Sequence, residues 1–315
     1  MSARPAGSGG TGRKPNLDRI VAELRNLRTA SQKIRYRGGS LPELPSRETM
    51  INIVDNLISA LYPRHFGPAG LTVESTDGFI VFTLDAALRS LQEQVRRELQ
   101  LANHVGDKSR TDYERQATEI SCEFAERLPK MRALLDTDIR AAYEGDPAAN
   151  SLDEVVTCYP GIAAIMRHRI AHQLYLVGAT MLARIISEIA HAQTGIDIHP
   201  GADIGDSFFI DHGTGVVIGE TAVIGRRVRL YQAVTLGARR FEVDDNGVLI
   251  KGKARHPIIE DDVVIYAGAT ILGRITIGRG SAIGGNVWLT YSVPPGSNIT
   301  QGKARSDTFY EGGGI

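Results

Sequence analysis

The sequence predicts an α+β chain, an all-α N-terminal domain followed by a parallel β-solenoid with one extruded loop. Two observations carry the prediction. Residues 16–195 place apolar side chains at helical spacing, and beyond Asp197 an aliphatic residue recurs at every sixth position. The first run reads Ile198, Ile204, Ile210 and Val216, slips by two, and continues as Ile218, Ile224, Leu230 and Leu236. The second reads Ile259, Ile265, Ile271, Ile277, Ile283 and Leu289. A helix repeats at about 3.6 residues and a strand at about 2, so neither alone gives a period of six. A chain that lays down one short strand and then turns a corner does. Three such repeats close a triangular coil, and stacked coils bury one another's aliphatic residues.

The elements follow in order. Residues 1–15 are basic, small and without an apolar core segment, so they read as a disordered tail rather than a secretory signal. Ser46 precedes a helical run through Met50, Ile53, Val54, Leu57 and Ile58 that ends near Pro63. Residues 84–104 carry a second stripe. Thr111 with Glu114 is a capping box that should open a third helix. Pro129 should bend or split it, and Gly145 should stop it. One last helix is expected from Pro160-Gly161 to Gly195, burying Ile162 through Ile189. The solenoid should then occupy 196–293, with an extruded loop at 238–257 that contains the turn signal Asp244-Asp245-Asn246-Gly247. A loop of that length in a regular solenoid calls for a function. Residues 294–315 form a C-terminal tail that ends in Gly312-Gly313-Gly314-Ile315.

Composition narrows the function. The 315-residue chain is 42% hydrophobic and has a formal charge of zero, which gives no electrostatic case for nucleic acid or a membrane surface. Two cysteines, Cys122 and Cys158, argue against a disulfide scaffold and fit a reducing, cytoplasmic setting. No apolar stretch approaches the roughly 18 residues of a membrane span. There is no Walker loop, nucleophile elbow, C-x-x-C or H-E-x-x-H. An acyl group would therefore have to arrive already activated, for example as a thioester.

Two polar clusters interrupt the repeat, Asp197-Ile198-His199-Pro200 and Asp211-His212-Gly213-Thr214-Gly215. With a coil of about 18 residues, Asp197 and His212 should lie near one corner on adjacent coils, whose spacing is roughly 4.8 Å. A histidine held by a carboxylate on one ring nitrogen can take a proton from a hydroxyl with the other. Two plainer readings stand beside it. Asp197 caps a turn and His212 is a surface histidine, or His199, His212 and His256 share a zinc ion.

Taken together, Asp197-Ile-His-Pro-Gly-Ala-Asp-Ile-Gly, Ile210-Asp-His-Gly-Thr-Gly, Val217-Ile-Gly-Glu-Thr-Ala-Val-Ile-Gly, Gln232-Ala-Val-Thr-Leu-Gly and Arg255-His256-Pro257 resemble the signature of the serine O-acetyltransferases. The resemblance spans about residues 146–290. It implies a left-handed parallel β-helix and acetyl transfer from acetyl-CoA to L-serine, with no bound cofactor or metal. It casts His212 as general base oriented by Asp197, Asp146 and Asp211 as ligands of the serine ammonium, and Arg255 and His256 as ligands of its carboxylate. It places the oxyanion at the Ala238 N–H beside Gly237 and coenzyme A along Ala267, Gly285 and Lys303. Tyr266 stands where a small residue is usual. It further implies trimers or dimers of trimers, feedback by L-cysteine, and docking of Ile315 into O-acetylserine sulfhydrylase. Another acceptor (homoserine, a sugar, an amine), a metal-dependent hydratase and a non-catalytic scaffold are the competing readings. The presence of both charge signs favours an amino acid.

Overall fold

The computed structural model describes residues 15–36, 41–102, 110–240 and 242–302. Helices fill its first part: α1 (Leu17–Tyr36), α2 (Arg47–Leu61), α3 (Pro63–Phe66), α4 (Val73–Ala102), α5 (Arg110–Glu126), α6 (Leu128–Gly145), α7 (Leu152–Cys158), α8 (Pro160–Leu176) and α9 (Thr180–Thr194). Ser46 caps α2 by accepting the Thr49 N–H, and Pro129 opens α6, so the expected split falls at Arg127. Three expectations are corrected, and one element was not foreseen. α4 begins at Val73, well before residue 84. α5 already includes Arg110, so Thr111 lies inside its first turn rather than ahead of it. The short helix α7 was not legible. The last predicted helix is two, α8 and α9, separated at Gly178, which takes the left-handed φ of 92°. Glu98 of α4 makes the break tolerable by accepting the free Met181 and Leu182 N–H groups at the start of α9.

Strands follow in threes. The first face of the prism stacks β1 (Asp197–Ile198), β4 (Val217–Ile218), β7 (Thr235–Gly237), β10 (Thr270–Leu272) and β13 (Trp288–Leu289). The second stacks β2 (Asp203–Ile204), β5 (Val223–Ile224), β8 (Ile258–Ile259) and β11 (Thr276–Ile277). The third stacks β3 (Phe209–Ile210), β6 (Arg229–Leu230), β9 (Val264–Ile265), β12 (Ala282–Ile283) and β14 (Asn298–Ile299). All pairings are parallel, as one-directional coiling requires. Every aliphatic residue of the six-residue series is buried, from Ile198 to Leu289. The repeat outlasts Pro294-Pro295-Gly296, because Ala282 pairs with Asn298 in one more strand.

The helical part is bolted to the first coil. Arg169 of α8 holds the Asp138 carboxylate of α6 through two bonds of 3.1 Å, and the pair is almost fully buried. The remaining polar atoms are satisfied from the prism: Arg169 donates to the Ile204 and Gly205 carbonyls, and Asp138 accepts the Phe208 N–H. Gly161 lets α8 start directly against β3, since a Cβ there would sit 2.2 Å from the Ile210 carbonyl oxygen.

Candidate active site

The two-residue slip in the repeat is a bulge. Asp197 registers with Val217, and Val217 with Thr235, so the first coil is two residues longer than the second. The surplus falls at the corner between the third and first faces, and His212 stands on it. Its φ of 60° lies in the left-handed region, and Gly213 follows at 86°. A non-glycine residue held there projects its side chain from the corner, and His212 is 71% exposed.

Acidic groups gather beneath this His212 corner. Asp211 follows β3, nearly buried, with its Oδ1 3.9 Å from the His212 Nδ1. Its Oδ2 accepts from Arg229 at 2.9 Å. Asp146 arrives from the end of α6, where its Oδ2 accepts the Tyr159 hydroxyl at 2.6 Å and its Oδ1 the Ala148 N–H. Those two hydrogen bonds hold its carboxyl below the usual range, helped by Arg229 and His212. Tyr159 is pushed up to about 12 by the same bond. Arg229 lies between the Phe209 and Tyr231 rings, and Tyr231 stacks on Tyr266 with ring centroids 5.2 Å apart. Above His212 the corner continues as Ala233, Gly268 and Asn286, all left-handed. Ala267 and Gly285 belong to this column, and the Ala267 carbonyl accepts the Asn286 N–H.

Basic groups gather at the next corner, between the first and second faces. The extruded loop folds on itself through the Val243–Leu249 bridge and a turn in which Asp244 Oδ1 accepts from Asn246 and Val248. It returns to the prism at Arg255 and His256, whose N–H groups both donate to Thr221 Oγ1. Arg255 pairs with Glu220 at 2.7 Å. Burial would raise the Glu220 carboxyl, but Arg255 and His199 overcome this and lower it. The Thr221 N–H donates to His256 Nδ1 at 3.0 Å, which leaves the ring proton on Nε2. Burial, with Arg255 beside it, lowers His256 to about 4, so the ring is a neutral donor. Its face lies on Gly219, where a Cβ would sit 2.1 Å from Nε2. Gly237 and Ala238 close β7 at this same Arg255 corner, and the Ala238 N–H has no acceptor among the described residues.

The predicted residues therefore divide between two corners of one face: Asp146, Asp211, His212, Ala267 and Gly285 at one, Gly237, Ala238, Arg255 and His256 at the other. Asp197 starts the first face between them. Because the coil is longer than expected, Asp197 lies under Val217 rather than under His212. Among the described residues no hydrogen bond joins it to His212, and its charge acts on His199. The three histidines do not converge, since His199 and His256 sit at the Arg255 corner and His212 at the other, and among the described residues no three His, Cys, Asp or Glu side chains could share a metal ion. Lys303 and Ile315, like most of both terminal tails, lie outside the described residues. Tyr159, Glu220, Thr221, Arg229 and Tyr231 were not anticipated. The six-residue register would have placed the last four, because it stacks Tyr231 on Asp211, whereas Tyr159 reaches the site through helix packing.

Residues 256–290 match the family described as bacterial transferase hexapeptide (six repeats). The plasmid serine acetyltransferase of Synechococcus elongatus is 58% identical over 303 residues, covering 95% of each chain. Among solved structures, serine acetyltransferase isoform 3 of Entamoeba histolytica, in complex with cysteine, aligns with TM-score 0.70 at 34% identity over 93% of this chain and 94% of that one. The Neisseria gonorrhoeae serine acetyltransferase in complex with serine aligns with TM-score 0.52 at 29% identity, over 82% of this chain and 96% of that one.

Proposed function

The chain belongs to the serine acetyltransferase family, and from that premise we propose how its residues move an acetyl group from acetyl-CoA to the hydroxyl of L-serine. The observation that carries the reading is the division of charge along one prism face. A zwitterionic acceptor needs carboxylates at its ammonium end and cationic or N–H donors at its carboxylate end. Asp146 and Asp211 supply the first, Arg255 and the neutral His256 Nε2–H the second. These sets sit at different corners of one chain, so a single site is completed by the His212 corner of one copy and the Arg255 corner of the next. A closed trimer supplies three such sites, and helical domains can join two trimers into a hexamer. The serine bound to the Neisseria relative supports the acceptor, and the cysteine bound to the Entamoeba relative supports competition by L-cysteine for the same subsite.

In this reading His212 takes the proton of the serine hydroxyl as its oxygen attacks the thioester carbonyl. The tetrahedral oxyanion is received by the unpaired Ala238 N–H. Collapse expels the coenzyme A thiolate, which recovers the proton from the His212 imidazolium, and no acyl-enzyme forms. Asp211, whose Oδ1 lies 3.9 Å from the His212 Nδ1, stabilises the charged ring. The pantetheine arm follows the Ala267–Gly285 column away from His212, and Lys303 is a further proposed contact of coenzyme A. Arg229 ties down one oxygen of Asp211 and leaves the other facing His212 and the substrate. Ile315 is the residue proposed to engage O-acetylserine sulfhydrylase. The exposed free thiols Cys122 and Cys158 suit the cytoplasm, and among the described residues no helix is long and apolar enough to cross a membrane.

The test is release of free thiol from acetyl-CoA with L-serine, L-homoserine or O-phosphoserine as acceptor. L-serine should be favoured strongly. Preference for homoserine would transfer the chemistry to another acceptor, and no release with any of the three would sink the reading. His212→Ala should lower kcat by roughly 10²–10⁴-fold and leave the melting temperature unchanged.

A further inference from the structure

Of the twenty residues of α1 none is buried. Yet its apolar residues are ordered. Leu17, Ile20, Leu24, Leu27 and Ile34 fall alternately three and four positions apart, with Ser31 filling the one gap. In heptad terms Leu17, Leu24 and Ser31 are a positions, and Ile20, Leu27 and Ile34 are d positions. Leu17, Leu24, Leu27 and Ile34 are all more than half exposed. Val21, also exposed, widens the stripe at one e position, but the a and d positions keep the period of 3.5 that marks a coiled coil.

The flanking charges choose the orientation. Glu23 is a g position and Arg28 the following e position. In a parallel bundle the g residue of one helix faces the next e residue of its neighbour, so Glu23, which pairs with Arg19 of its own helix at 3.0 Å, also faces the neighbour's Arg28. Helices arranged side by side around a three-fold axis run parallel, whereas a two-fold across them would make them antiparallel. Leu17 at a with Ile20 at d is the combination that favours more than two strands, whereas Leu24 with Leu27 and Ser31 with Ile34 carry no such preference. We propose that Leu17–Tyr36 pairs with the same helix of two further copies of this chain as a parallel three-stranded coiled coil. The number of strands rests on the three-fold association proposed above, while the seam and its orientation rest on α1 alone. Three heptads are short for an isolated coil. Tethered to associated prisms, they meet at high effective concentration.

Cysteine placed on the seam tests this in the full chain, in a Cys122→Ser, Cys158→Ser background. Under mild oxidation Leu24→Cys should form covalent pairs rapidly, whereas Ala22→Cys, on the outer f position, should not. Equal cross-linking at both positions, or none at either, overturns the coil. Register is tested by charge reversal: Glu23→Arg should slow the Leu24→Cys reaction, and adding Arg28→Glu should restore it. Failure of that rescue overturns the parallel arrangement. Sedimentation of the same samples reports three-fold association separately. Trimers without cross-links would reject the coil and leave the active-site reading untouched.

Discussion

Thr221 shows how one side chain can set another's chemistry. By giving its N–H to His256 Nδ1 it assigns the ring proton to Nε2, and by accepting from the Arg255 and His256 N–H groups it anchors the returning loop. Gly219 provides the bed on which the His256 ring lies. Gly219→Ala should displace that ring and remove one donor to the acceptor carboxylate. Such a bond to a charged group contributes about 1.5–3 kcal/mol, so the KM for serine should rise on the order of 10-fold to 100-fold, with a smaller change in kcat; steady-state kinetics decide it. His256 also affects stability. Folded, it titrates at about 4, and unfolded near 6.5. Between those values the unfolded chain binds more protons, so stability rises with pH, is complete above about 6.5, and is lost as pH falls towards 4. Buried His168, whose ring nitrogens lack partners among the described residues, acts in the same direction. Buried Asp138 and Glu98, whose carboxyls are raised by burial, oppose it. The informative quantity is a difference: the drop in melting temperature between pH 7.5 and 5 should be smaller in His256→Gln than in the parent chain.

Among the elements, the solenoid was the most legible, because each strand from β1 to β13 buries one aliphatic residue of the six-residue series. Ile271 lies mid-stack with no exposure, so Ile271→Ala should cost about 2–5 kcal/mol, measured by denaturant unfolding. The helices were less legible. The apolar stripe runs unbroken from Ile162 to Ile189, and only Gly178 signals the turn between α8 and α9. Gly178 has open space around its Cα and a φ of 92°. Gly178→Ala should therefore cost about 1–2 kcal/mol from backbone strain alone, visible as a lower melting temperature with activity retained. α7 escaped notice because a seven-residue helix leaves too short a stripe to read.

At the scale of the whole molecule, two half-sites on one prism face predict complementation between copies. His212→Ala and Arg255→Ala should each be nearly inactive alone. Co-assembled in equal amounts, they should regain about a quarter of full activity, because random mixing pairs an intact His212 corner with an intact Arg255 corner in one interface of four. No recovery would mean that each site is built within one chain. The sequence by itself determined the repeat, the face and the residue types of the site, since period, slip and loop are properties of the chain's order. It could not determine that the slip lengthens the first coil and leaves Asp197 beneath Val217, nor that α6 and α7 deliver Asp146 and Tyr159 to His212. Those depend on how helices pack against a corner, a balance of buried surface and hydrogen bonding among residues far apart in the chain, and only the tertiary structure decided it.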